Sequence, residues 1–332
     1  MMEPKLGLLV LIIAESDAKN MPKALITGIN GFAGTHLNNL LVSQGYEIYG
    51  SVKPDSEVPH DSNFFPVDIL DFEGLKTVIE KISPDYIFHL AALTSPAESF
   101  KNPSNTLTTN IAGQLNILEA VKQLQLIETR VLVVSSAEVY GAASGHDLPI
   151  DEDTPLKPLS PYAVSKIAQD YLGYQYFFSQ NVKAIRVRPF NNIGPNQGPI
   201  FVVPSFARQI AEIEKGKKEP ILKVGNLEAK RDFTDVRDMV RAYQLILEKG
   251  EPGAVYNIGS GKSHRIQEIL DIFLSLSDAN IIVEKDPALM RPGDIPELLC
   301  DYSKMHDITG WRPEIDIHTT LRDTLDYWRN IV

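Results

Sequence analysis

Thr27-Gly28-Ile29-Asn30-Gly31-Phe32-Ala33-Gly34 is the stretch on which the reading of this 332-residue chain turns. An apolar run, Ala24-Leu25-Ile26, precedes it, and the residues after it carry Leu37, Leu40 and Leu41 at helical spacing. Strand, glycine turn and amphipathic helix therefore follow one another. The three glycines serve three mechanical purposes. Gly28 permits the tight turn, Gly31 lets backbone approach a pyrophosphate, and Gly34 lets the helix pack on the strand. The helix start offers free N–H groups and the positive end of its dipole to phosphate. A dinucleotide site is expected here, built from Gly28, Asn30, Gly31, Phe32, Ala33 and Gly34. Isolated glycine repeats also serve ordinary turns; the strand before and the helix after distinguish this one.

Composition sets the bounds. Hydrophobic content of 43% and charged content of 23% are those of an ordinary globular protein long enough to bury a large core. A net charge of −11 argues against a nucleic-acid or anionic-membrane partner. The single cysteine, Cys300, excludes an intramolecular disulfide and a cysteine-rich metal site, and points to a reducing, cytoplasmic compartment. No metal is expected. The apolar run at residues 6–14 is far short of a membrane span, and Glu3, Glu15 and Asp17 flank it poorly for a signal peptide. Residues 1–21 are read as an N-terminal extension, with a nucleotide-binding domain starting at residue 22.

Residues 46–52 read as the second strand, whose end should meet the adenosine ribose. An acid there holds the 2′-OH, whereas a basic residue accommodates a 2′-phosphate. Lys53 occupies the position, with Asp55 two further on, so NADP(H) is expected and NAD(H) is the alternative. A third strand at 63–67 ends at Asp68 and Ile69, and 72–82 has a helical pattern. Residues 86–90 form a buried strand ending at Leu90, and Ala91 and Ala92 are small enough for a cofactor to cross them. Asp68, Ile69, Leu90, Ala91 and Ala92 thus join Lys53 in the expected cofactor set. His89, with no ligand-type residues around it, reads as a packed histidine, and Asn110 as bonding a carbonyl inside the fold. Strands at 130–135 and 183–189 complete an alternation of strands and helices. That alternation predicts an α/β, Rossmann-type doubly wound parallel sheet with its ligand at the carboxyl ends of the strands. From about Gly194 glycine and proline cluster, at Pro195, Gly198, Pro199, Pro204 and Gly225, and helix-patterned pieces alternate with short strands at 221–224 and 255–258. The expected division is an NAD(P)-binding domain at 22–190 and, at 191–332, mainly a smaller substrate-binding lobe.

Tyr162-Ala163-Val164-Ser165-Lys166 is the second anchor. Residues four apart share a helix face, so Tyr162 and Lys166 point together. An ammonium beside a phenol favours phenolate and lowers the tyrosine pKa. Ser136 ends the strand before it. The G-x-x-G-x-x-G spacing, the Y-x-x-x-K pair and Ser136 resemble the extended short-chain dehydrogenase/reductase family, and the resemblance runs from Lys23 to about Tyr327. It implies that Ser136 bonds the substrate's carbonyl oxygen, that Tyr162 and Lys166 are catalytic and touch the cofactor, and that Glu138 matches the base of family dehydratases. Those dehydratases place an Asp or Ser between hydroxyl and glutamate; this chain has Ala137.

The C-terminal part carries the substrate clues. Arg188-Pro189-Phe190-Asn191-Asn192-Ile193-Gly194-Pro195 resembles a signature of sugar-nucleotide enzymes, with Asn191 at the substrate-contacting position. Residues 225–238 resemble the nucleotide clamp of enzymes acting on GDP-deoxyhexoses, with Arg231 at the diphosphate and Arg291 in a second arginine motif. Guanidinium forks suit a diphosphate because they donate paired, charge-assisted bonds. Phe233-Thr234-Asp235 replaces the tryptophan-glycine-histidine run typical of GDP-mannose 4,6-dehydratases. The resemblance therefore implies reduction of the 4-keto group of a GDP-4-keto-6-deoxyhexose, GDP-4-keto-6-deoxy-D-mannose to GDP-D-rhamnose, with NADPH. A dehydratase or epimerase of a sugar nucleotide is the alternative. A non-catalytic dinucleotide sensor is the third reading, opposed by the intact Ser136, Tyr162 and Lys166. A homodimer through helix faces at 103–125 and 160–178 is expected.

Overall fold

The computed structural model describes residues 21–56, 63–141, 143, 145–290 and 295–332. The extension read at 1–21, save Met21, and Arg291 lie outside the described residues. The first part of the chain contains β1 (Lys23–Thr27), α1 (Phe32–Ser43), β2 (Glu47–Val52), β3 (Phe64–Pro66), α2 (Phe72–Ile82), β4 (Tyr86–His89), α3 (Pro96–Lys101), α4 (Pro103–Gln123), β5 (Arg130–Val134), α5 (Pro161–Gln180) and β6 (Lys183–Pro189). The second part contains β7 (Asn191–Ile193), α6 (Val202–Glu214), β8 (Ile221–Val224), β9 (Lys230–Asp235), α7 (Val236–Lys249), β10 (Val255–Ile258), β11 (Ser263–Arg265), α8 (Ile266–Ser275), β12 (Ile282–Lys285), α9 (Ser303–Thr309) and α10 (Ile317–Ile331).

Seven strands form one parallel sheet in the order β3-β2-β1-β4-β5-β6-β10. This is the Rossmann-type doubly wound arrangement. Both faces of β1 are covered, which is why its residues 24–26 are apolar without alternation. Chain order reverses between β1 and β4, and a crevice opens above their carboxyl ends. Local chemistry sets the helices. Asp71 caps α2 by accepting from the Gly74 amide at 3.1 Å, and Leu75, Val78, Ile79 and Ile82 turn inward at helical spacing. Ser160 caps α5 by accepting from the Ala163 amide at 3.1 Å, with Pro161 in the first turn. One core packs α1 and α7 on the sheet through Leu37, Leu41 and Val240, and another packs α2 and α4 on the opposite face through Ile79 and Ile117. A third core, with Phe206, Ile210, Leu270, Phe273 and Leu325, unites α6, α8 and α10.

One sequence expectation is corrected. The sequence groups residues 255–258 with the strands of the C-terminal lobe, but β10 pairs in parallel with β6, Val255 opposite Arg186, and closes the edge of the large sheet. Helix α7 also packs beside α1. A short run such as Val255–Ile258 announces a strand; it does not announce which sheet edge it will join.

Gly34 shows how tightly α1 sits on the turn. A Cβ there would lie 2.3 Å from the Gly28 carbonyl oxygen and 2.8 Å from the Ile29 Cα, all backbone that cannot step aside. Gly34→Ala is expected to destabilise the protein by about 1–3 kcal/mol, the usual scale of overpacking, and to disrupt the turn above it. A thermal melt matching wild type would contradict this.

Candidate active site

The end of β1 is tied to the end of β4 by Thr27. Its Oγ1 accepts from the Leu90 and Ala91 amides, each at 3.1 Å, so its own proton goes to His89 Nδ1 at 2.9 Å. That assigns the His89 proton to Nε2. Burial, then the nearby Lys166 charge, pushes the imidazole down to about 3, so His89 is neutral. Gly28 adopts φ +69°, and a Cβ on it would sit 3.1 Å from the Ala91 Cα. The α1 N-terminus has no side-chain cap and no acid in its first turn, leaving its N–H groups for an anion.

A cleft of about 350 Å³ opens above this junction. Gly28, Gly31, Phe32, Ala33 and Gly34 line its phosphate-binding end, and Leu90 and Ala92 its middle. Asn30, Lys53, Asp68, Ile69 and Ala91 are not on its wall. Lys53 and Asp68 are exposed beyond the ends of β2 and β3, and Ile69 is buried.

Ser136, Glu138, Tyr162 and Lys166 converge on the same cleft. Ser136 ends the segment after β5 and caps a short 3-10 turn at Ala137–Val139, accepting from the Glu138 amide at 3.2 Å. Tyr162 and Lys166 share one face of α5 and are 7% and 3% exposed. The expectation that Lys166 acidifies Tyr162 is revised. Burial pushes the phenol well above the ordinary tyrosine range, a hydrogen bond with Ser136 works against that, and the Glu138 charge adds to it. Lys166 Nζ donates to the Val134 carbonyl at 2.9 Å and stands 5.8 Å from the Tyr162 ring centroid, while burial brings its own pKa down to about 7. A hydroxyl, a protonated phenol and a buried amine on one wall are equipped to hold and protonate a carbonyl oxygen. Asn110 bonds the Leu93 carbonyl at 3.0 Å and the Ser165 hydroxyl at 2.9 Å, fixing α4 against α5.

A second cavity of about 370 Å³ adjoins the first, and Glu138, Asn191, Asn192, Gln197 and Phe201 line both. Asn191 belongs to β7, paired with β9 opposite Phe233. Arg231 on β9 lines the far end and donates from Nη1 to the Lys230 and Ile295 carbonyls at 2.8 and 2.6 Å. Buried Asp232 beside it accepts from the Ser260 amide and hydroxyl and from the Gly261 and Cys300 amides, all within 3.0 Å. Burial raises its carboxyl pKa, and these bonds oppose the rise. The carboxylate thereby joins three chain segments behind Arg231. Burial also pushes the Cys300 thiol well up, which removes thiolate reactivity. His89, Gln197, Phe201 and Tyr243 are among the wall residues that carry no sequence signal of a functional role.

Fold and site define an NAD(P)-dependent oxidoreductase of the extended short-chain dehydrogenase/reductase type. Residues 25–324 match the model of the family described as GDP-mannose 4,6 dehydratase, and the chain belongs to that family. It is 36% identical over 310 residues to the GDP-6-deoxy-D-mannose reductase of Pseudomonas aeruginosa, covering 93% of this chain and 98% of that one. It is 30% identical to GDP-mannose 4,6 dehydratase 2 of Arabidopsis thaliana, covering 91% and 86%. The solved structure of RMD from Pseudomonas aeruginosa complexed with NADPH superposes with a TM-score of 0.84 at 35% identity, covering 94% of this chain and all of that one. Among the described residues no helix is long and apolar enough to cross a membrane.

Proposed function

We propose that this protein reduces the 4-keto group of a GDP-4-keto-6-deoxyhexose, converting GDP-4-keto-6-deoxy-D-mannose to GDP-D-rhamnose, with NADPH. Ala137 carries the reading. It lines the cleft between Ser136 and Glu138, where the resembling dehydratases have an Asp or Ser as the proton donor or its helper, and a methyl group can be neither. The 36% identical reductase supports the same choice. Elimination is the second reading, because Glu138 lies on the wall of both cavities.

The residues present suit the dinucleotide. Gly28, Gly31, Gly34 and the uncapped α1 N-terminus would hold its pyrophosphate, Lys53 a 2′-phosphate, Leu90 and Ala92 its middle, and Lys166 the nicotinamide ribose. Bound there, the cofactor supplies a hydride. Ser136 holds the keto oxygen, and Tyr162 delivers a proton to it as charge develops. Arg231, with Arg291, grips the diphosphate, and Asn191 contacts the substrate.

Purified protein given GDP-4-keto-6-deoxy-D-mannose should consume NADPH in a one-to-one ratio, followed as loss of NADPH absorbance. Conversion of GDP-mannose to its 4-keto-6-deoxy form without a partner enzyme is the result that overturns the assignment.

The proposal extends to a cytoplasmic homodimer. Val164, Tyr171, Tyr174 and Phe178 expose an apolar stripe along α5, and Leu115 is exposed on α4, which packs against α5. A stripe of that composition suits a second copy of itself.

A further inference from the structure

The turn between β7 and α6 is pinned from two sides. His36 on α1 donates from Nε2 to the Pro195 carbonyl at 2.9 Å, and the Tyr327 hydroxyl on α10 donates to Asn196 Oδ1 at 2.9 Å. Asn196 itself takes φ +72°, a left-handed conformation that asparagine tolerates. Between these anchors and the cleft stands Gln197, 6% exposed, on the wall of both cavities. Its Nε2 donates to the Asn192 carbonyl at 3.0 Å. A carbonyl cannot donate in return, so this bond fixes which end of the amide is oxygen. Gln197 Oε1 is left buried with no hydrogen-bond partner.

A buried acceptor without a donor is costly, and native proteins seldom leave one unless something else supplies the bond. At the junction of the two cavities that donor comes with the ligand. Phosphate oxygens and a keto oxygen only accept, so neither satisfies Oε1. A ring hydroxyl donates. Under the function proposed above, the hexose lies where the two cavities meet, between Ser136 and Tyr162 on one side and Arg231 on the other. The geometry points to Gln197 as a hexose-binding residue that accepts a hydrogen bond from a hydroxyl of the bound sugar. The doubly anchored turn holds it at the right depth, and the residue would discriminate a glycosylated nucleotide from the bare one.

Calorimetric titration of wild type and Gln197→Met with GDP-mannose, GDP and NADPH separates the possibilities without depending on turnover. The expected result is a loss of about tenfold in GDP-mannose affinity, the worth of one hydrogen bond, with GDP and NADPH affinities unchanged. Retained GDP and NADPH binding also certifies that the variant folds. Gln197→Asn withdraws the oxygen by one methylene and should act in the same direction. Equal losses for GDP and GDP-mannose, a loss confined to NADPH, or no loss at all each overturn the inference. A wild type that binds GDP-mannose more tightly than GDP yet fails to reduce the keto sugar would strike the proposed reaction and leave this residue's role standing.

Discussion

Tyr162→Phe is expected to lower kcat by about 10² to 10⁴, the usual contribution of a positioned general acid. The phenol is buried in the cleft wall beside Ser136, and burial holds its pKa well above the ordinary range. At neutral pH it is therefore fully protonated, the form a proton donor needs. Removing one oxygen leaves the ring, and with it the packing of α5 against the cleft, in place. Cofactor affinity should stay within about twofold of wild type, so the loss falls on kcat and not on NADPH binding. Single-turnover measurements with saturating NADPH and keto sugar give the test. Should the variant keep most of its rate, the donor is another group, and Glu138 on the same wall is the next candidate.

Lys166→Met is expected to behave differently on two counts. Turnover should fall by a similar factor, but NADPH affinity should fall with it, by about ten- to a hundredfold, because a charge-assisted bond to the cofactor is lost. The second count is stability. An ordinary lysine holds its proton to about pH 10.4, whereas burial brings Lys166 down to about 7. Between those values the unfolded chain binds more protons than the folded one, so stability rises with pH across the window. The cost of burying Lys166 is thus fully felt below about pH 7 and fades toward about pH 10. Measured without cofactor, Lys166→Met should melt above wild type at neutral pH and below, with the gap closing as pH rises. Loss of the 2.9 Å bond to the Val134 carbonyl trims this gain by roughly 1 kcal/mol. A wild type that melts higher than the variant at every pH would show that Lys166 is held at no net cost.

The pair of variants separates two roles that one motif carries. Tyr162 and Lys166 lie four residues apart on α5 and both reach the cleft, yet they do not touch in the way the spacing suggests. The ammonium turns to a strand carbonyl, while the phenol stands on the cleft wall with Ser136. Spacing along a helix places two side chains on one face; what each finds there depends on the strands packed beneath.

Much of the fold is legible in the sequence because its causes are local. The glycine turn, the Asp71 cap with the inward row of Leu75, Val78, Ile79 and Ile82, and the apolar runs of β1 and β5 are all written in neighbouring residues. So are the parallel sheet and the Tyr162–Lys166 face, which follow from periodicity and the alternation of elements. Tertiary structure alone decided that β10 closes the large sheet, that Asp232 binds the Ser260 and Cys300 segments behind Arg231, and that Gln197 stands at the meeting of two cavities with an unmatched oxygen. The physical reason is range. Turns, caps and helix faces are set by groups a few residues apart, whereas edge pairing, burial and the fate of each polar atom are set by segments distant along the chain that meet only once the cores have packed.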